Sequence, residues 1–208
     1  MRVALTFDAE HPDREHRSGV HDEMLAVLAG RDVHATFFLQ GRWVEANPEA
    51  ARRVAADGHL VGSHSFYHAR LPLLSDEGLV TDVCDAERTI RDIVGVDPRP
   101  WFRCPFLAGE DDPRVIAALT GLGYRIVPVD IVLDDWDSAR TGTTIASDAV
   151  AEVGRLADEG AADAIVLLHT WPPAALDALP GMIDGMRDRG ATFIDVGELP
   201  PSRWIVSA

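Results

Sequence analysis

Val3-Ala4-Leu5-Thr6-Phe7-Asp8-Ala9-Glu10 is an apolar, strand-like run that ends in two carboxylates. Alternation along a strand puts Asp8 and Glu10 on one face. Further short runs rich in Val, Ile and Phe recur at 33–39, 59–62, 101–102, 124–129, 164–168 and 192–196. Apolar runs of this length read as strands buried on both faces. Helical patterns lie between them. Asn47-Pro48-Glu49 and Asp112-Pro113 set a capping side chain before a proline at the first helical position, and Gly58, Gly95 and Gly123 stand where helices should end. Over 75–94, Leu79, Val80, Val83, Cys84, Ile90 and Ile93 fall mostly three or four apart, which predicts one inward stripe with Cys84 in the core. Strand alternating with helix along the chain predicts an α/β fold with a parallel sheet and crossover helices. About seven such units predict a barrel, with functional residues at the carboxyl ends of the strands.

At 208 residues and 47% hydrophobic content, with no linker, repeat or low-complexity tract, the chain reads as one domain over residues 1–208. The 34 acidic residues outnumber 19 basic ones, all arginine, for a formal charge of −15. Such a chain repels phosphate backbones and anionic lipid surfaces, so neither nucleic acid nor membrane is an expected partner. No apolar run approaches the roughly 20 residues that span a bilayer. The start, Met1 to Phe7, enters a strand-like run at once without a leader pattern, so a cytoplasmic location is the expectation. Two cysteines, Cys84 and Cys104, are too few for a disulfide scaffold or a thiolate zinc site.

The polar residues follow the predicted strands. His64-Ser65-Phe66-Tyr67-His68 offers two imidazoles four apart, and two imidazoles with one carboxylate form a familiar catalytic zinc set that leaves a position open for water. The glutamate of the helical metalloprotease motif is missing from this pair. Arg103-Cys104-Pro105-Phe106, Asp134-Asp135-Trp136 and Leu167-Leu168-His169 follow later runs. Taken singly, such an arginine is more often a surface ion pair, an Asp-Trp a capped turn, and a lone histidine structural. Their joint occurrence in order at strand ends is what carries weight. His11, His16, His21, His34 and His59 go by default to solvent or packing, with His11 and His16 close enough in sequence to Glu10 to touch a substrate.

The order Thr-Phe-Asp, His-Ser-x-x-His, Arg-x-Pro-Phe, Asp-Trp, Leu-x-His resembles the polysaccharide deacetylases of carbohydrate esterase family 4, over Leu5 to about Val196. Ala35-Thr36-Phe37-Phe38 and the approach Asp57 to His64 resemble that family as well. The resemblance implies a distorted (β/α) barrel of the NodB type with one divalent metal, usually zinc, that hydrolyses N-acetyl or O-acetyl groups on carbohydrates. It makes Asp8 the general base, His64 and His68 metal ligands, and His169 the general acid. Arg103 would orient the base, and Asp135 would pair with Arg103 or tune the acid. Leu167 would line the pocket for the acetyl methyl, and Phe106 would offer its main-chain N–H to the oxyanion. Trp136 and Trp171 are the aromatic residues expected to wall a sugar site, a packed surface indole being the alternative.

Two departures stand out. The family's second aspartate, a metal ligand, is replaced by Ala9, and Glu10 is the candidate substitute because it shares a face with Asp8 and reaches further. The stretch Asp130 to Asp135 is longer than the family's usual spacing. The expected partners are therefore a small carbohydrate or acetylated metabolite as substrate and, beyond it, at most further copies of the chain. Two other readings stay open. One is a carbohydrate-binding protein that has lost turnover; the other is an amidohydrolase for a ring amide or natural-product intermediate, with Glu10 as acid or base.

Overall fold

The computed structural model describes residues 1–13 and 17–207, so His16 lies outside the described residues. The chain packs as two compact units. One comprises Met1–Asp8, Arg14–Thr36 and Val129–Leu199, the other Ala9–Asp13, Phe37–Pro128 and Pro200–Ala208. The strands are β1 (Arg2–Ala9), β2 (Thr36–Leu39), β3 (Leu60–Ser63), β4 (Trp101–Phe102), β5 (Arg125–Ile126), β6 (Ile131–Val132), β7 (Asp163–His169) and β8 (Thr192–Ile194). The helices are α1 (Val20–Gly30), α2 (Gly41–Ala46), α3 (Pro48–Ala56), α4 (Asp76–Val94), α5 (Pro113–Gly121), α6 (Gly142–Asp158) and α7 (Pro173–Asp188).

In the first unit β1 and β7 run parallel in continuous register, from Arg2 opposite Asp163 to Asp8 opposite His169. β8 pairs in parallel with β1, and β6 with β7. Val3, Leu5, Phe7, Ile165, Val166 and Leu168 are buried, as the unbroken apolar runs require of strands covered on both faces. The two-residue β6 was not legible as an apolar run. Asp130 sets its start: its N–H donates to the Ile165 carbonyl at 3.0 Å, and its Oδ2 accepts from the Ile165 N–H at 2.7 Å.

In the second unit β3, β4 and β5 are parallel neighbours. Gly62 in β3 is required by close approach, because a Cβ there would stand 2.7 Å from the Phe38 ring and 3.0 Å from the Trp101 carbonyl. Leu71, Leu79, Val83, Phe102, Cys104, Leu119 and Tyr124 build a common core. Asp112 caps α5 as expected, accepting from the N–H groups of Arg114 and Val115. Asn47 precedes α3 but does not cap it; its amide donates to the Trp43 carbonyl at 3.0 Å, at the end of α2. The inward stripe of α4 is Leu79, Asp82, Val83, Ala86 and Ile90. Cys84 and Val80 thus lie off it, and the buried cysteine is Cys104. The misreading has a simple cause, since a buried carboxylate, Asp82, occupies a position that hydrophobicity assigns to the outer face. Among the described residues no helix is long and apolar enough to cross a membrane.

Candidate active site

Three imidazoles of the second unit converge on one carboxylate. Glu10, which follows β1 directly, is 4% exposed. Its Oε2 lies 3.3 Å from His64 Nε2 and in closer contact with His68 Nε2, while its Oε1 lies 2.9 Å from His11 Nε2. Donor atoms of Glu10, His11 and His68 all lie within 4.8 Å of one another. Sequence reasoning paired Glu10 with His64 and His68 and left His11 to solvent or packing. The signal for His11 is conformational: its φ of 57° turns the chain so that its N–H meets the Gln40 Oε1 at 3.0 Å and its ring meets the His68 ring edge-on.

The histidine loop after β3 is held by short side chains. Ser65 and His68 both adopt left-handed backbone, with φ of 63° and 58°. The Asp82 carboxylate accepts from the N–H groups of Phe66 at 3.0 Å and Tyr67 at 2.9 Å, and Ser65 Oγ accepts from the His68 N–H at 3.0 Å. His64 Nδ1 lies 2.9 Å from the Arg103 carbonyl. A carbonyl only accepts, so Nδ1 carries the proton and Nε2 keeps its lone pair toward Glu10. Burial works to raise the pKa of Glu10, but the imidazoles of His11, His64 and His68 set against it outweigh that and hold the carboxyl well below the usual range. Burial lowers the pKa of His68, against the opposing pull of Glu10. A carboxylate oxygen and imidazole nitrogens are donor types that a divalent cation takes, so the donor set fits zinc in number and type.

Arg103 is fully buried and not at the surface; its Nε donates to the Val127 carbonyl at 2.9 Å, and its guanidinium lies 4.5 Å from the Phe38 ring centroid. Phe106 has a φ of 57°, and its ring packs 4.4 Å from that of His68.

In the first unit the end of β7 carries a histidine–aspartate pair. Asp135 Oδ1 lies 2.7 Å from His169 Nδ1, and Oδ2 accepts from the His169 N–H at 2.7 Å. The carboxylate therefore fixes both the tautomer, with the proton on Nδ1, and the ring. Asp8 lies opposite His169 in register, and its carbonyl accepts from the Thr170 N–H at 3.2 Å. Trp136 meets His169 edge-on at 5.1 Å, Trp171 lies 6.1 Å from it, and Leu167 is buried two residues before it.

The polysaccharide deacetylase family model matches residues 1–127. A chitin deacetylase of Colletotrichum lindemuthianum is 34% identical over 97% of this chain and 82% of its own length. A family 4 carbohydrate esterase from Streptomyces lividans, solved in complex with acetate, superposes with a TM-score of 0.80 over 99% of this chain and 97% of that one, at 22% identity. A mutant of a family 4 pseudoenzyme with restored enzymatic activity also gives a TM-score of 0.80, at 25% identity over 95% of this chain and 66% of that one. The chain belongs to the polysaccharide deacetylase family and has its NodB-type (β/α) fold. The class expected from the sequence, a hydrolase of non-peptide carbon–nitrogen bonds, is that of the named chitin deacetylase.

Proposed function

We propose that this chain is a single catalytic domain that removes an N-acetyl, or O-acetyl, group from a carbohydrate or sugar-like metabolite with the help of one divalent metal. The observation that carries the reading is the convergence of His11, His64 and His68 on the ionised Glu10. Glu10, His64 and His68 would hold the metal, most simply zinc, with His11 as a further donor beside them. Bound there, the cation supplies Lewis acidity at the acyl carbonyl and makes an attacking water more acidic. Asp8 accepts the proton of that water as its oxygen adds to the carbonyl carbon. The Phe106 N–H donates to the oxyanion, Arg103 orients the base, and Leu167 receives the acetyl methyl. His169, held by Asp135, donates a proton from Nε2 to the departing amine or alcohol as the bond to the acyl carbon breaks. The products are acetate and a free amine or hydroxyl. Trp136 and Trp171 flank the sugar.

A cytoplasmic location and a soluble amino sugar or cytoplasmic precursor as substrate belong to this reading; cell fractionation checks the first. Elemental analysis of purified protein, followed by an acetate-release screen over acetylated sugars, tests the rest. One metal per chain with acetate release is the expected result, and a metal-free chain without release would sink the proposal. A second reading, a sugar-binding protein without turnover, draws on Ala9 standing where the family's usual aspartate ligand stands. It predicts sugar binding without acetate release. The third, an amidohydrolase with Glu10 as acid or base, is disfavoured in its acid form, because three imidazoles hold that carboxyl ionised.

A further inference from the structure

Beside the donor cluster stands a cation that no carboxylate neutralises among the described residues. In a chain with 34 acidic and 19 basic side chains, several arginines of this unit are ion-paired: Arg42 with Asp13 at 2.9 Å, Arg114 with Asp76 at 2.9 Å and Arg99 with Asp97 at 2.8 Å. Among the described residues Arg70 has no such pair; its guanidinium carbon lies 4.3 Å from the centroid of the Phe106 ring. That ring is 51% exposed, although it packs on His68. Left-handed backbone at Phe106 and Leu107, with φ of 57° and 53°, presents it there. Such conformations cost free energy in non-glycine residues and persist at sites where geometry is put to use.

We propose that Arg70 and Phe106 form a subsite for an anionic substituent, a carboxylate or a phosphate, on the acylated sugar; this deepens the deacetylase reading and rests on it. A guanidinium lying over an aromatic face keeps its in-plane N–H donors available for a bidentate anion. The exposed ring beside it offers an apolar face to the C–H side of a sugar. The net charge of −15 disfavours anions at a distance. An arginine without a carboxylate partner among the described residues, beside the histidine cluster, is what admits one.

The test is titration calorimetry of the metal-loaded chain and its Arg70→Gln and Arg70→Lys variants. The probes are N-acetylglucosamine, N-acetylglucosamine 6-phosphate and N-acetylmuramic acid. At least one anionic sugar should bind about tenfold tighter than the neutral one, the gain expected of one charge-assisted contact. Arg70→Gln should remove that preference and Arg70→Lys keep part of it. A preference confined to one anionic sugar assigns the subsite to phosphate or to carboxylate. Equal binding of all three, binding of none, or a preference that survives Arg70→Gln overturns the subsite. Acetate release is followed in the same samples. Its absence alongside an Arg70-dependent preference would overturn the hydrolase reading and leave the subsite standing.

Discussion

Around Glu10 the side chains are presented by irregular backbone, whereas at the end of β7 they stand in regular strand register. His11, Ser65, His68 and Phe106 all adopt left-handed φ, a conformation that costs a non-glycine residue of order 1–3 kcal/mol. It persists because Asp82, Ser65 and Gln40 hold the surrounding N–H groups. His169 and Asp8 need no such support, since the pairing of β1 with β7 sets them opposite each other and one carboxylate, Asp135, fixes the ring. Here His11 and His68 reach Glu10 from left-handed turns. A single proton donor or acceptor needs only a strand end.

The comparison breaks most sharply at Glu10. Glu10→Ala should abolish metal binding and acetate release together, a loss on the order of 10³-fold or more in kcat/KM; elemental analysis and the release assay read both. Wild-type metal content in that variant would remove Glu10 from the ligand set. Mutations at the strand ends should separate the two readouts. Asp8→Asn and His169→Ala should each lose about 10²–10⁴-fold in kcat with metal content unchanged, the range of a general base or acid. A parallel fall in metal content would show that these residues belong with the donors.

A subtler contrast lies one layer out. Asp82→Ala leaves two loop N–H groups without their acceptor, and metal affinity should fall about 10–100-fold, as for other groups that orient ligands; a chelator competition titration measures it. The smallest effect is expected at Asp130, whose carboxylate supports β6 and β7. Asp130→Ala should lower stability by about 1–2 kcal/mol in urea unfolding and leave metal affinity alone.

Periodicity carried most of what could be read in advance. The apolar runs marked seven of the eight strands among the described residues because burial on both faces leaves a continuous local signature, and β6 was not among them. Glu10, His64 and His68 could be grouped because spacing and strand ends imply their placement, and in the structure both imidazoles lie against Glu10. His11, Asp82 and Arg70 could not. Asp82 sits among core residues of α4 to hold a loop fifteen and sixteen residues back. His11 owes its direction to a positive φ and to Gln40, twenty-nine residues on. Arg70 gains its meaning from Phe106, on another loop. The amino-acid sequence by itself determined the fold class and the order of its chemical residues, because hydrophobic pattern and strand ends are local properties. Tertiary structure decided which polar side chains converge, because left-handed turns and contacts between distant loops leave no period in the chain.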